Sequence, residues 1–117
     1  GARDEDIRTH LRRAAALLFT SRLEPLGLAP LEAAACELPT VAIAEGGPRE
    51  TVRHGETGLL VESAAPEALG AAVLSLLNDK ATARTMGSAG RRFVEHEWTW
   101  EPHCRALEEL LLDLSAR

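Results

Sequence analysis

A chain of 117 residues that is 45% hydrophobic and 26% charged has the length of one globular domain and too much apolar content for a disordered segment. Its 13 Lys and Arg against 18 Asp and Glu leave a net charge of −5, with two Trp, two Phe and no Tyr, which excludes the basic face and stacking aromatics of a nucleic-acid binder. No apolar run approaches the roughly 18 residues of a membrane span, and residues 1–8 are too charged for a signal peptide.

Cys36 and Cys104 make no disulfide framework, so a reducing cytoplasm is expected. All the cations are Arg except Lys80, which leaves a single candidate for a phosphate-gripping lysine. A folded chain of 12.6 kDa should expose roughly 6,000 Å² and bury about two-thirds of its unfolded surface, enough for a core without staples.

In chain order, Asp4 to Arg13 reads as a helix with acidic residues in its first turn and Ile7 and Leu11 on one face. Ala14 to Phe19 is an apolar run of strand length, ended by Thr20-Ser21-Arg22. Leu28 to Leu38 is an Ala-rich helix with Pro30 in its first turn and Pro39 beyond its end. Thr40 to Ile43 is a β-branched strand, and Gly46-Gly47-Pro48 opens a brief helix through Val52. Gly55 and Gly58 bracket a turn before a third strand, Leu59 to Val61. Three helices follow: Pro66 to Leu77, Lys80 to His96, and Glu101 to Ser115. The last carries Leu107, Leu110, Leu111 and Leu114 as the stripe of a helix lying on a core.

Alternating strands and helices with continuously apolar strands imply a parallel sheet covered on both faces, an α/β fold. Three strands make a narrow sheet for that architecture, so the chain reads as part of a larger α/β domain. Ligands bind such sheets beyond the carboxyl ends of the strands, here Ser21 to Gly27, Ala44 to Pro48 and Glu62 to Ala65.

The first of these loops leads into a helix whose free amides make an anion site, and Gly27 lets a ligand approach the backbone. Glu24 precedes those amides and Glu32 follows them, eight residues on, in what is expected to be the first helical turn. Two carboxylates repel a phosphate in front of them but can flank one, each accepting hydrogen bonds from hydroxyls on either side. A diphosphate with a polyol at both ends is a nucleotide sugar. One dipole-favoured glutamate and one surface glutamate explain the spacing as well.

Glu24-Pro-Leu-Gly-Leu-Ala-Pro-Leu-Glu32-Ala-Ala-Ala-Cys-Glu-Leu-Pro39 resembles the Glu-x7-Glu signature of retaining glycosyltransferases of family 4. Gly46-Gly47-Pro48-Arg49-Glu50-Thr51-Val52 and His54-Gly55-Glu56-Thr57-Gly58-Leu59-Leu60-Val61 resemble its next two blocks, in order. Pro66-Glu67-Ala68-Leu69, Leu76-Leu77-Asn78-Asp79, Met86-Gly87 and Trp98-Thr99-Trp100-Glu101 match its carboxyl-terminal helices. The resemblance covers residues 2–117, with Gly1 set aside as a cloning scar.

The resemblance implies the carboxyl-terminal, donor-binding part of a two-domain B-type glycosyltransferase fold, a partial Rossmann-like parallel sheet incomplete at its amino end. It implies that Glu24 orients donor-sugar hydroxyls as the catalytic carboxylate, without being a nucleophile. Glu32 would hold the ribose, and the backbone at Leu26, Gly27 and Leu28 would meet the sugar or diphosphate. Gly46 and Gly47 would lie near the donor, although a tight turn explains them equally. No metal or other cofactor is implied, and the acceptor would bind mainly to an amino-terminal half not present here.

The sequence departs from the family at Leu26, where Phe is usual, and at Glu37, where Gly accommodates a left-handed residue. The diphosphate-binding Arg and Lys of the family come from upstream segments, and Lys80 matches neither. The chain alone is therefore expected to be inactive, with an unpaired sheet edge that invites pairing or swapping with another copy. A cytoplasmic location is expected, with membrane association left open for a longer parent protein. A stand-alone binding or assembly module without turnover is the alternative.

Several other residues have simpler explanations. Asp4-Glu5-Asp6 mimics a metal-binding Asp-x-Asp but stands at a helix start. His96, His103 and Cys104 lack metal-ligand spacing. Cys36 reads as a small buried side chain, and Trp98 and Trp100 as anchors for the last helix.

Overall fold

Three short apolar runs form the strands, and the prolines and glycines between them set where each element starts and stops. The computed structural model describes Gly1 and residues 3–117, so the expected domain start at Ala2 lies outside the described residues. α1 (Asp4–Arg13) carries Asp4, Glu5 and Asp6 in its first turn and Arg12 and Arg13 in its last, each favoured by the helix dipole. β1 (Leu17–Phe19), α2 (Leu28–Ala35), β2 (Thr40–Ile43), α3 (Pro48–Thr51) and β3 (Gly58–Val61) follow in alternation. α4 (Pro66–Asn78), α5 (Lys80–Glu97) and α6 (Trp100–Ser115) complete the chain.

The sheet is parallel in the order β1-β2-β3, with Leu18 beside Val41 and Val41 beside Leu59. Side chains alternate across it. Val41 and Ile43 point to one face and pack with Leu69 and Leu76 of α4 and Met86 of α5. α2 packs against β1 and β2 on the sheet's other side, and α5 lies against α2, α4 and β3. The chain is thus an α/β unit with helices on both faces.

Two boundaries differ from the sequence expectation by three residues, and five others by one. β1 begins at Leu17 rather than Ala14, because the Ala14 N–H closes the end of α1 on the carbonyls of His10 and Leu11. α2 ends at Ala35 rather than Leu38. The Glu37 N–H bonds to the Ala34 carbonyl and the Leu38 N–H to that of Ala33, a closure that needs a left-handed residue between them. Glu37 supplies it at φ +60°, so the helix ends as it would with glycine, and the side chain bears the strain.

A larger correction concerns α6. None of its residues is buried, and Leu107, Leu110, Leu111 and Leu114 are each more than half exposed. The leucine stripe does not lie on the core, since within the chain α6 rests mainly on α5. Trp98 packs edge-on against Phe93 at 6.3 Å, whereas Trp100 is 86% exposed and anchors nothing. Cys36 is half-buried, not buried. The accessible surface is 7760 Å², above the roughly 6,000 Å² expected for the mass, because α6 and the outer flank of β1 have no covering layer.

Replacing the left-handed Glu37 with glycine should stabilise the chain by roughly 0.5–1 kcal/mol in denaturant unfolding, the relieved strain exceeding the added chain entropy. Leu76→Ala, in the α4 core, should cost roughly 2–4 kcal/mol, while Leu111→Ala on α6 should stay within about 0.5 kcal/mol. Equal losses at the two leucines would place α6 in the core.

Candidate functional site

The carboxyl ends of the strands open into loops at the edge where parallel sheets bind ligands. After β1 the chain turns at Leu23 (φ +51°) and again at Gly27 (φ +81°), the residue that starts α2. No side chain caps α2, so amides in its first turn lack a partner within the helix. Glu24 is half-buried, and its Oε1 accepts the Gly27 N–H at 3.5 Å. Gly27 is buried, while the side chains of Leu26 and Leu28 face outward.

Glu32 is the fifth residue of α2, which starts at Leu28 as expected, so it lies outside the first turn rather than in it, where the dipole acts less. It is exposed and lines a cleft of about 210 Å³ between α1 and α2, walled by Ile7, Leu11 and Cys36.

The loop after β2 lies directly against the first. The Gly47 N–H donates to the Glu24 carbonyl at 2.6 Å. A Cβ on Gly46 would sit 2.5 Å from that same oxygen, and one on Gly47 would collide with the Leu26 carbonyl. Gly46 is left-handed (φ +56°), but Gly47 is helical (φ −55°, ψ −37°), so its glycine serves close approach and not conformation. The amides of Arg49 and Glu50 donate to the carbonyls of Gly46 and Gly47. Backbone packing therefore accounts for both glycines, and most of the amides that would cradle a phosphate there already bond to the protein. Thr51 Oγ1, 3.3 Å from the Gly47 carbonyl that it bonds, lies under Gly27.

Sequence reasoning missed a cross-link between these loops. Arg22 donates from Nε to Glu45 Oε2 at 3.1 Å and from Nη2 to Oε1 at 2.7 Å, and the Leu23 N–H reaches Oε2 at 3.4 Å. The signal was present: both residues follow the ends of neighbouring parallel strands paired at Phe19 and Ala42, and they carry opposite charges. The hydrogen bond from Arg22 holds the Glu45 carboxyl below the usual carboxylate range, and Glu45 raises the Arg22 guanidinium in turn. The pair thus persists at neutral pH and is lost only as pH falls through that lowered value. Arg49 bonds Glu62 at 3.1 Å, linking the start of α3 to the loop after β3.

The remaining candidates have structural partners. Thr57 Oγ1 accepts the Arg53 N–H at 2.9 Å and braces the turn before β3. The Arg53 guanidinium lies 4.3 Å from the centre of the Phe93 ring and pairs with Glu97. His103 packs on Trp98 at 5.6 Å. Asp6 pairs with Arg3 and Glu5 with Arg8. Among the described residues no three His, Cys, Asp or Glu side chains converge as a metal-ligand group. Lys80 borders a cleft of about 250 Å³ with Ala14, Glu37 and Pro39, at the amino ends of the strands and across the sheet from these loops.

Gly47→Ala should lower stability by roughly 1–3 kcal/mol, since an alanine suits the backbone and only the collision with Leu26 opposes it. A thermal melt within 1 °C of the parent would show that the loops separate freely.

The description "Glycosyl transferases group 1" belongs to the family model that matches residues 1–93. A GDP-mannose-dependent alpha-(1-6)-phosphatidylinositol monomannoside mannosyltransferase of Mycobacterium tuberculosis is 39% identical over 89 residues, covering 76% of this chain and 23% of that protein. The sucrose-phosphate synthase of Thermosynechococcus elongatus superposes with a TM-score of 0.77 at 38% identity, over 99% of this chain and 29% of the other. Anabaena HepE in complex with UDP superposes at 0.83 with 25% identity, over 92% and 30%. The chain thus spans under a quarter of the mannosyltransferase it matches. A family match over most of the chain, on a parallel sheet that superposes almost in full on its members, leads to one conclusion: this chain belongs to the group 1 glycosyltransferases and is folded as part of their B-type carboxyl-terminal domain.

Proposed function

We propose that this chain is the nucleotide-sugar-binding part of an enzyme that transfers a sugar from a nucleotide-sugar donor to an acceptor with retention of anomeric configuration. The observation that carries the reading is the position of Glu24. It is a half-buried carboxylate at the carboxyl edge of the sheet, held beside the uncapped start of α2. There Glu24 orients donor-sugar hydroxyls, and the backbone at Leu26, Gly27 and Leu28 faces the sugar or diphosphate, where the helix dipole favours negative charge. Glu32, further along α2, takes the ribose hydroxyls.

In this reading Gly46 and Gly47 serve the donor by letting the second loop support the Glu24 backbone. The departing phosphate oxygen takes the acceptor proton, so Glu24 needs no nucleophilic role and the reaction needs no metal. HepE was solved with UDP and the mannosyltransferase is named for GDP-mannose, so a screen of UDP-, GDP- and ADP-sugars is the direct route to the donor. The free thiols Cys36 and Cys104 suit a reducing cytoplasm, and the phosphatidylinositol in the mannosyltransferase's name supports an acceptor at a membrane surface. No helix of the described residues is long and apolar enough to cross a membrane.

The isolated chain should be inactive, because its one lysine lies across the sheet from the site and the acceptor half belongs elsewhere. The exposed leucines of α6 and the open flank of β1 favour a second reading, assembly with more protein or with another copy. Light scattering of the isolated chain tests it, and a clean monomer would count against self-association.

In the complete enzyme, Glu32→Ala should weaken nucleotide-sugar binding by about 1.5–3 kcal/mol, the scale of a charged hydrogen bond. Unchanged affinity by calorimetry would remove Glu32 from the site.

A further inference from the structure

The ion pair between the first two loops surrounds a strained residue. Leu23 is 80% exposed, so no burial holds its side chain in place, yet its backbone is left-handed at φ +51°, a conformation that bulky residues avoid. On one side of it Arg22 forks onto Glu45 through two hydrogen bonds, and the N–H of Leu23 itself points to Glu45 Oε2. On the other side comes Glu24, whose carbonyl is tied to the Gly47 N–H. An exposed ion pair is worth little when both partners are free to move. This one is bidentate, takes a backbone N–H as well, and joins loops from two strands. Releasing it frees Leu23 to relax, and relaxation at Leu23 rotates the peptide that leads into Glu24.

We infer that Arg22 and Glu45 are positioning residues for Glu24: their ion pair holds the left-handed turn at Leu23 and so sets the direction from which the Glu24 carboxylate meets the donor sugar. This rests on the reading of Glu24 as the sugar-orienting carboxylate. In this role the pair acts through the backbone ahead of Glu24, so its loss should spare binding of the nucleoside diphosphate and impair use of the complete donor.

The test compares Arg22→Gln, Glu45→Gln and the double variant in the complete enzyme. In Glu45→Gln, amide exchange at Leu23 and Gly47 should quicken by about tenfold as the loop opens. Affinity for UDP or GDP, whichever the parent binds, should stay within about twofold, while kcat with the nucleotide sugar falls about tenfold or more from misplacement of Glu24. The double variant should be no worse than either single one, since both break the same pair. Unchanged amide exchange would overturn the clamp. Faster exchange with unchanged kcat would overturn its positioning role. So would additive losses accompanied by weaker UDP or GDP binding, which mark general loosening. A parent enzyme that binds neither UDP nor GDP and uses no nucleotide sugar would defeat the donor reading and the positioning role together, with amide exchange still deciding whether the clamp exists.

Discussion

Where the loop after β1 crosses the loop after β2, the two backbones touch with nothing between them. Gly47 donates to the Glu24 carbonyl at 2.6 Å, and neither Gly46 nor Gly47 has room for a Cβ beneath Glu24 and Leu26. Interiors packed to this density do not yield smoothly, so the crossing determines where the first loop can run. From it follow the half-burial of Glu24, the turn at Gly27 that starts α2 without a side-chain cap, and the place of Thr51 below that turn. A site assembled from loops thereby acquires a rigid footing, because each loop springs from a strand of the same sheet.

Among the described residues two carry left-handed strain without being glycine, and they show two ways of sustaining it. Glu37 is over-determined by hydrogen bonds at the end of α2, and its carbonyl sits where a side chain on Gly87 would have to go. Its strain belongs to the packing of α2 on α5. Leu23 has no such packing and is held by the carboxylate of Glu45 and the hydrogen bond after Glu24. Strain of the first kind ends a helix, whereas strain of the second kind lies at the ligand edge of the sheet, next to the carboxylate that the donor reading depends on.

Two apolar surfaces stay open among the described residues. β1 has a neighbour on one side only, with Leu18 48% exposed, and α6 shows its leucines to solvent. The chain spans only a fraction of the relatives it matches. At the carboxyl edge of the sheet, Arg22 and Arg49 are each paired with a carboxylate, Glu45 and Glu62.

By itself the sequence determined which segments become strands and helices, that the sheet is parallel, and which loops lie at its ligand edge. Those properties depend on local periodicity and on the positions of Pro30, Pro39, Pro48 and Pro66, all of which act within a few residues. Glu24 was legible for the same reason, standing a fixed distance before a helix start, and the family resemblance covered the blocks around it. Tertiary structure alone decided what each face meets. The stripe on α6 is a true helical stripe, but periodicity shows that a face is apolar and not what covers it, and here none of the described residues buries it. Glu32 lies beyond the first turn by counting alone, as the fifth residue of a helix that starts at Leu28 as expected, since a turn holds only about 3.6 residues. The Arg22–Glu45 pair joins residues 23 apart, and recognising it needed the register of β1 on β2 as well as the opposite charges. A leucine with positive φ cannot be read from its neighbours in sequence, since the groups that hold it there belong to another loop.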